Sequence, residues 1–156
     1  MKKLTAILIG MLVLVCSTSK AEPRYVLVQS ELNVRGRPSL GSEIHGRLFN
    51  GEQVEVARKY RDWCFLEGLY SEEGCGWVFG SYLVADPVVQ YDAMPATVVA
   101  NGRVAVRESV EGKRTQWVHP GDTVFVYGMS AEWSVTNRGY IKTEYLAIDH
   151  AEEEIK

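Results

Sequence analysis

The chain has 156 residues, with 17 lysines and arginines against 20 aspartates and glutamates, which gives a formal net charge of −3. This length suits one medium domain or two small ones, and it excludes a large catalytic fold such as an α/β barrel. No basic stripe supports binding to nucleic acid, and no polybasic cluster supports binding to an anionic membrane surface.

The N-terminal segment has the pattern of an export signal. Lys2 and Lys3 precede an apolar run from Leu4 to Val15, and small and polar residues then continue to Ala21. A run of roughly a dozen residues is shorter than the ~20 that a transmembrane helix needs. We therefore predict a signal peptide at residues 1–21, cleaved after Ala21, and a periplasmic or secreted protein. Lipid attachment at Cys16 is the alternative, and it is the only route that we expect to a membrane.

The remaining chain repeats itself. The offset between matching blocks falls from 72 to 70 and then to 63, and both deletions fall in turn-rich stretches, as expected of one fold copied twice. We predict domains at 24–85 and 93–148, a short stiff linker at 86–92 that leaves the copies in contact, and a solvated acidic tail at 149–156. The matching blocks are 32–35 with 104–107, 51–56 with 121–126, Trp63 with Trp133, 76–78 with 139–141, and 82–83 with 145–146.

Local patterns indicate an all-β fold. Val54 and Val56 alternate with polar residues at the period of a strand, as do the corresponding residues of the second copy. Glycine turns open these strands, and Asn137–Gly139 is typical of a tight hairpin. No stretch after residue 21 has helical periodicity. We expect one small barrel per copy, because closure hides the edges of the sheet.

Cys64 and Cys75 are predicted to form a disulfide. Export places them in an oxidising compartment, and they lie on two strands of one hairpin. Alternation predicts that Trp63 and Phe65 face the core, so that Cys64 faces the other way. A bridge closing a loop of about a dozen residues contributes about 3 kcal/mol in the chain-entropy model. We predict a structural role for this bridge.

The blocks of the first copy resemble the bacterial SH3 (SH3b) domain pattern. The second copy is looser, because residues 104–107 lack the asparagine and the following Pro-Ser, and Tyr140-Ile141 replaces Trp-Val. The resemblance implies two SH3-like barrels in tandem that bind cell-wall peptidoglycan or peptides. Such domains often target a hydrolase to its substrate, and no hydrolase is attached here. The blocks that carry the resemblance are 32–39, 51–56, Asp62-Trp63, 76–78 and Tyr82-Leu83.

Arginines and tyrosines are the candidate binding residues. Arg35 and Arg107 hold the same place in both copies, where a guanidinium either grips a ligand carboxylate or bridges to carbonyls of its own loop. Tyrosine rings at the closing strands or beside loops can stack on sugars or flank a peptide. We predict that Trp63 and Trp133 pack in the cores. The candidate ligand-binding residues are Arg35, Tyr60, Tyr70, Tyr82, Arg107, Tyr140 and Tyr145.

No motif in the sequence predicts catalysis. His45, His119 and His150 stand at unrelated positions, without metal-ligand spacing, a nucleophile elbow or a phosphate-binding loop. We therefore predict a non-catalytic binding protein without a metal or cofactor. The alternative is an accessory, inhibitory or immunity protein that binds another envelope or secreted protein. Removal of residues 1–21 deletes three lysines and no acid, and the resulting charge of −6 suits a basic partner.

Overall fold

The structure is a computed structural model that describes residues 20–68 and 75–149. Cys16, Tyr70, His150 and nearly all of the predicted signal peptide and acidic tail lie outside the described residues. Within the described ranges, no helix combines the length and the apolar character needed to cross a membrane.

The N-terminal barrel contains seven antiparallel strands in the order β3-β2-β6-β5-β4-β1-β7. A 3₁₀ turn at Gly80–Tyr82 leads into its last strand. The strands are β1 (Glu22–Val26), β2 (Glu31–Arg35), β3 (Ile44–Phe49), β4 (Gln53–Tyr60), β5 (Trp63–Glu67), β6 (Cys75–Phe79) and β7 (Leu83–Val84).

The C-terminal barrel repeats this arrangement strand for strand, in the order β10-β9-β13-β12-β11-β8-β14. A 3₁₀ turn at Thr143–Tyr145 takes the place of the turn in the first barrel. The prediction of two small all-β barrels is confirmed. The strands are β8 (Val89–Val98), β9 (Val104–Arg107), β10 (Arg114–Val118), β11 (Thr123–Met129), β12 (Trp133–Thr136), β13 (Gly139–Lys142) and β14 (Leu146–Ile148).

The strand limits differ from the expected boundaries at two places. β1 begins at Glu22, two positions before the predicted start of the first domain. β8 begins at Val89, inside the segment predicted as a linker, because its N-terminal end pairs with the end of β11: Val89 lies opposite Met129, and Gln90 lies opposite Gly128. Pairing with β11 therefore extends the sheet into the predicted linker, where Val89 and Tyr91 alternate with polar residues.

Matching details of the backbone show that the two barrels are built alike. The ladder between β4 and β5 shifts register between Val56 and Arg58, and the ladder between β11 and β12 shifts between Val126 and Gly128. The turns that precede β4 and β11 place Gly51 at φ 83° and Gly121 at φ 87°, in the left-handed region that favours glycine. The sequence repeat is therefore also a repeat of bulges and turns.

Each barrel has its own core, made mostly of valine and leucine. Aliphatic side chains fit these cores because the interior of a small barrel is narrow. The N-terminal core consists of Val26, Val28, Leu32, Val34, Leu48, Val54, Val56, Cys64, Leu66, Val78 and Leu83. The C-terminal core consists of Ala96, Val98, Val104, Val106, Val118, Val124, Val126 and Ile141.

A third cluster joins the two barrels, and we call it the inter-barrel cluster. It brings Leu27 and Val84 of the N-terminal barrel against Trp133, Val135 and Tyr140 of the C-terminal barrel. The Tyr140 hydroxyl donates to the Leu27 carbonyl oxygen at 2.7 Å. Because Leu27 is fully buried, this contact removes a strictly apolar side chain from water and holds the barrels together.

Two further hydrogen bonds flank the inter-barrel cluster. The Asn50 side chain donates from Nδ2 to the Tyr127 carbonyl oxygen at 3.1 Å, and the Val110 amide donates to the Ser81 carbonyl oxygen at 3.0 Å. A Cβ atom at Gly128 would lie 2.5 Å from Asn50 Nδ2. The close approach of Asn50 therefore requires glycine at position 128.

The disulfide prediction is wrong, and no bridge joins Cys64 to Cys75. Cys64 lies opposite Val78 and faces the core, whereas Cys75 lies opposite Glu67 on the outer face of the hairpin. The two thiols therefore point to opposite faces and are three positions out of register. The error came from assigning Trp63 and Phe65 to the core, when these large rings pack outside the barrel. Burial raises the pKa of the Cys64 thiol.

Candidate functional site

The N-terminal barrel carries a groove beside its β1–β2 loop, which we call the N-terminal groove. It has a volume of about 360 Å³. The loop and β2 contribute part of its lining, Arg35 and Leu40 border it, and Trp63, Phe79 and Tyr82 contribute aromatic side chains. Tyr140 of the C-terminal barrel also borders this groove, so the inter-barrel contact shapes it.

The C-terminal barrel carries an equivalent groove of about 730 Å³, which we call the C-terminal groove. Its lining follows the repeat position by position. No described residue of the first barrel lines it, and its volume is about twice that of the N-terminal groove. The equivalent lining residues are Val28 with Ala100, Gln29 with Asn101, Ser30 with Gly102, Glu31 with Arg103, Leu32 with Val104, Asn33 with Ala105, Arg35 with Arg107, Trp63 with Trp133, Phe79 with Lys142, and Tyr82 with Tyr145.

The two predicted arginines anchor the loops that border the grooves. Arg35 Nη1 donates to the Leu40 and Ser42 carbonyl oxygens, each at 2.8 Å, and Arg107 Nη1 donates to the Gly112 carbonyl oxygen at 2.8 Å. These bonds match the loop-bridging alternative that the sequence left open. A guanidinium has five N–H donors, so anchoring a loop is compatible with a contact to a ligand.

The predicted tyrosines separate into three groups. Tyr82 and Tyr145 line the N-terminal and C-terminal grooves at equivalent positions. Tyr140 is buried between the barrels, and its pKa is raised by burial first and by the neighbouring Tyr82 second. Tyr60 is exposed at the end of β4 and lines neither groove, and Tyr70 lies outside the described residues.

Several lining residues were missed by sequence reasoning. Trp63 and Trp133 are buried, as predicted, but they lie outside the two aliphatic barrel cores and also line the grooves. The equivalence of Phe79 with Lys142 was overlooked, although the offset of 63 that relates Tyr82 to Tyr145 also relates these two residues. The sequence repeat therefore already related these positions, and comparing the two copies at every strand would have identified Phe79 and Lys142 as equivalent lining residues.

Cation–aromatic contacts occur on both barrels, and one of those made by arginines borders a groove. The Arg58 guanidinium lies 4.2 Å from the centre of the Phe65 ring and 5.4 Å from that of Trp77, on the outer face of the β5–β6 hairpin. Trp117 lies beneath two guanidinium groups, with Arg103 at 4.2 Å and Arg114 at 4.5 Å. Arg103 also lines the C-terminal groove, so this stack holds a cation at the groove wall.

The described residues offer little for metal chemistry. Across residues 20–68 and 75–149, no group of three or more histidine, cysteine, aspartate or glutamate side chains is placed to hold a metal ion. The geometry instead provides two grooves lined by aromatic, aliphatic and charged side chains.

Residues 30–84 match the family model described as "Bacterial SH3 domain". The chain therefore contains one bacterial SH3 domain, which spans most of the N-terminal barrel. A search of curated proteins found no match.

Two solved structures from Trichomonas vaginalis are similar to the chain. NlpC1 is 14% identical over 83% of this chain and 46% of its own, with a TM-score of 0.36. NlpC2 is 15% identical over 84% of this chain and 49% of its own, with a TM-score of 0.35. The chain thus spans less than half the length of each.

Proposed function

We propose that the chain is an exported, non-catalytic binding protein that holds cell-wall peptidoglycan or its peptides in the grooves of two SH3b-type barrels. The observation that carries this proposal is the presence of equivalent grooves on both barrels, each combining an arginine, a tryptophan and a tyrosine at matched positions. The bacterial SH3 domain at residues 30–84 supports the choice of ligand class.

The chemistry of the grooves suits this ligand. The half-buried Tyr82 and Tyr145 rings can pack against sugar rings or a peptide backbone, the buried tryptophans support the grooves beneath, and charged side chains in the lining select polar groups. The inter-barrel cluster fixes the two grooves relative to each other. If both grooves engage one polymer, the second contact forms at a high effective concentration and strengthens retention.

Co-sedimentation with insoluble peptidoglycan tests the proposal. The chain starting at Glu22 is expected to pellet with the wall material, whereas an inert protein of similar size stays in solution. Tyr145→Ala removes the aromatic wall of the C-terminal groove and should lower the pelleted fraction several-fold. Tyr60→Ala is the matched control, because Tyr60 is exposed and lines neither groove. Pelleting no greater than that of the inert protein would overturn the proposal.

A second candidate is an accessory or inhibitory protein that binds another exported protein. The observation that favours it is the outer face of the β5–β6 hairpin, where Phe65 and Trp77 lie under Arg58. The equivalent face of the C-terminal barrel is already a contact between protein surfaces. Affinity capture from an exported fraction should then yield one stoichiometric protein with the native chain and none with Trp77→Ala. Capture that is unchanged by this substitution would remove this candidate.

A further inference from the structure

The two grooves lie at equivalent places on their barrels but differ in charge. The C-terminal groove has Arg103, Glu111, Lys142 and Glu144 in its lining, two cations and two anions besides the shared arginine. The equivalent positions of the N-terminal barrel are Glu31, Gly41, Phe79 and Ser81. The N-terminal barrel does not repeat this set of two cations and two anions, so the barrel fold that the two copies share does not require it.

The cationic part of the C-terminal groove lies at Lys142 and Trp133. Lys142 Nζ is 4.5 Å from the centre of the Trp133 ring. Its contact with the exposed Glu132 is long, at 3.4 Å, so it is readily exchanged for a better acceptor. Trp133 is only 3% exposed, and its Nε1 is buried without a hydrogen-bond partner in the described part of the chain.

An unpartnered indole N–H costs free energy because burial strips it of water. Trp133 lines the C-terminal groove and also a second cleft, which runs between Val84 of the first barrel and Glu132 of the second. Because the Nε1 atom itself is buried, a ligand in the groove meets the Lys142 ammonium group and not this N–H group, and a carboxylate beside Lys142 would supply its counter-ion. Charge-assisted bonds of this kind are the stronger class of hydrogen bond.

The anionic part comes from two different loops. Glu144 lies in the 3₁₀ turn that follows Lys142, and Glu111 lies in the β9–β10 loop with a left-handed backbone at φ 57°. Both carboxylates line the groove that also contains Lys142 and Arg103. One groove of about 730 Å³ thus contains acceptors for an ammonium group and donors for a carboxylate.

Building on the proposed function, we propose that the C-terminal groove is the selective site of the chain and takes a short peptide that carries both a free carboxylate and a free ammonium group. The carboxylate lies toward Lys142, and the ammonium group lies toward Glu144. The N-terminal groove, which is half as large and has Phe79 in place of the lysine, takes no part in this charge selection.

Titration of the chain starting at Glu22 with tri-alanine, followed by NMR chemical shifts, tests this inference. Tri-alanine with free termini should bind at least ten-fold more tightly than its N-acetylated form and than its C-amidated form. Lys142→Met should abolish the preference against the amidated form, and Glu144→Gln should abolish the preference against the acetylated form. Lys113→Met, which makes the same substitution at an exposed lysine that lines neither groove, is the control and should keep both preferences.

The inference and the proposed function fail in different ways. Equal binding of free and capped tri-alanine, or unchanged selectivity in Lys142→Met, overturns the inference, even if the chain pellets with peptidoglycan. Selective binding of free tri-alanine by a chain that does not pellet with peptidoglycan supports the inference and overturns the wall-binding function.

Discussion

The outer faces of the two equivalent hairpins have different neighbours. In the C-terminal barrel, Val135 and Tyr140 on β12 and β13 are buried against the other barrel. In the N-terminal barrel, the equivalent Phe65 and Trp77 pack against each other beneath the side chain of Arg58. The same scaffold therefore uses one face as an interface and closes the other with its own arginine.

One backbone position accounts for much of this difference. Arg58 and Gly128 occupy the same place after the same bulge, opposite Phe65 and Val135 respectively. Gly128 leaves room for Asn50 of the other barrel, because a Cβ atom at position 128 would lie only 2.5 Å from Asn50 Nδ2. The comparison teaches that a duplicated barrel can keep its core and its groove while a single side chain decides whether a neighbouring face is open to a partner.

Substitution of Leu27 gives the largest expected effect. Leu27 is fully buried in the inter-barrel cluster, whereas Val99, its equivalent, is 50% exposed. Leu27→Ala should lower the free energy of unfolding by about 2–5 kcal/mol, the usual range for a buried leucine. Val99→Ala should change it by less than about 0.5 kcal/mol, as for other surface positions. Denaturant unfolding measures both, and similar losses would contradict the asymmetry between the barrels.

Substitution of Gly128 tests whether the close approach of Asn50 holds the two barrels together. Gly128→Arg places a large side chain where Asn50 must approach, and overpacking of this kind costs about 1–3 kcal/mol. We expect lower stability and a larger radius of gyration in small-angle scattering, because the barrels separate. Arg58→Gly, the reciprocal change, should leave the radius unchanged. A compact Gly128→Arg variant would show that the close approach is not required.

Loss of the Tyr140 hydroxyl has a smaller effect that depends on pH. Tyr140→Phe leaves the Leu27 carbonyl without its donor, at a cost of about 1–3 kcal/mol near neutral pH. The pKa of Tyr140 is raised above its ordinary value of 10.0, so the folded chain keeps a proton that the unfolded chain loses above that pH. The stability of the native chain therefore falls as pH rises through about 10, by linkage.

The phenylalanine variant lacks this titration. Its deficit relative to the native chain should therefore shrink as the pH is raised from about 9 to about 11, around the ordinary tyrosine pKa. Tyr60→Phe, at an exposed position, should show no deficit at any pH. A deficit that stays constant across this range would mean that the buried hydroxyl does not carry the pH dependence.

The smallest predicted effect concerns the arginine that covers the N-terminal hairpin. Arg58→Gln removes the cation–aromatic contacts with Phe65 and Trp77, worth about 0.5–1 kcal/mol at an exposed site. Quenching of tryptophan fluorescence by acrylamide should increase because Trp77 becomes more exposed. Arg47→Gln, which changes an arginine on β3, should leave quenching unchanged. Equal quenching in both variants would mean that Arg58 does not shield the face.

The architecture was predictable because the repeat fixes turns and alternation together. Val54, Val56 and their copies at 124 and 126 marked the core strands correctly, and Gly51 and Gly121 marked the turns. The face of β5 was not predictable by the same logic. Alternation separates the two faces of the strand without saying which is inner: Trp63 and Phe65 were assigned inward, but Cys64 and Leu66 fill the barrel core.

The groove was only partly predictable. Arg35, Tyr82 and their copies line it, as the matched positions suggested. The burial of Tyr140 between the barrels depends on long-range packing against Leu27, 113 positions away, and no local pattern reports such a contact. The charged lining was not recognised from the sequence, because the groove brings Lys142 and Glu144 together with Arg103 and Glu111, which lie more than 30 positions earlier in the chain.

The most direct test of the account is an NMR titration of the chain starting at Glu22 with soluble peptidoglycan fragments. We predict that amide shifts change along the groove segments 28–33, 100–105 and 142–145. Shifts confined to Arg58, Phe65 and Trp77, or no saturable shifts at all, would contradict the claim that the grooves are the binding surfaces.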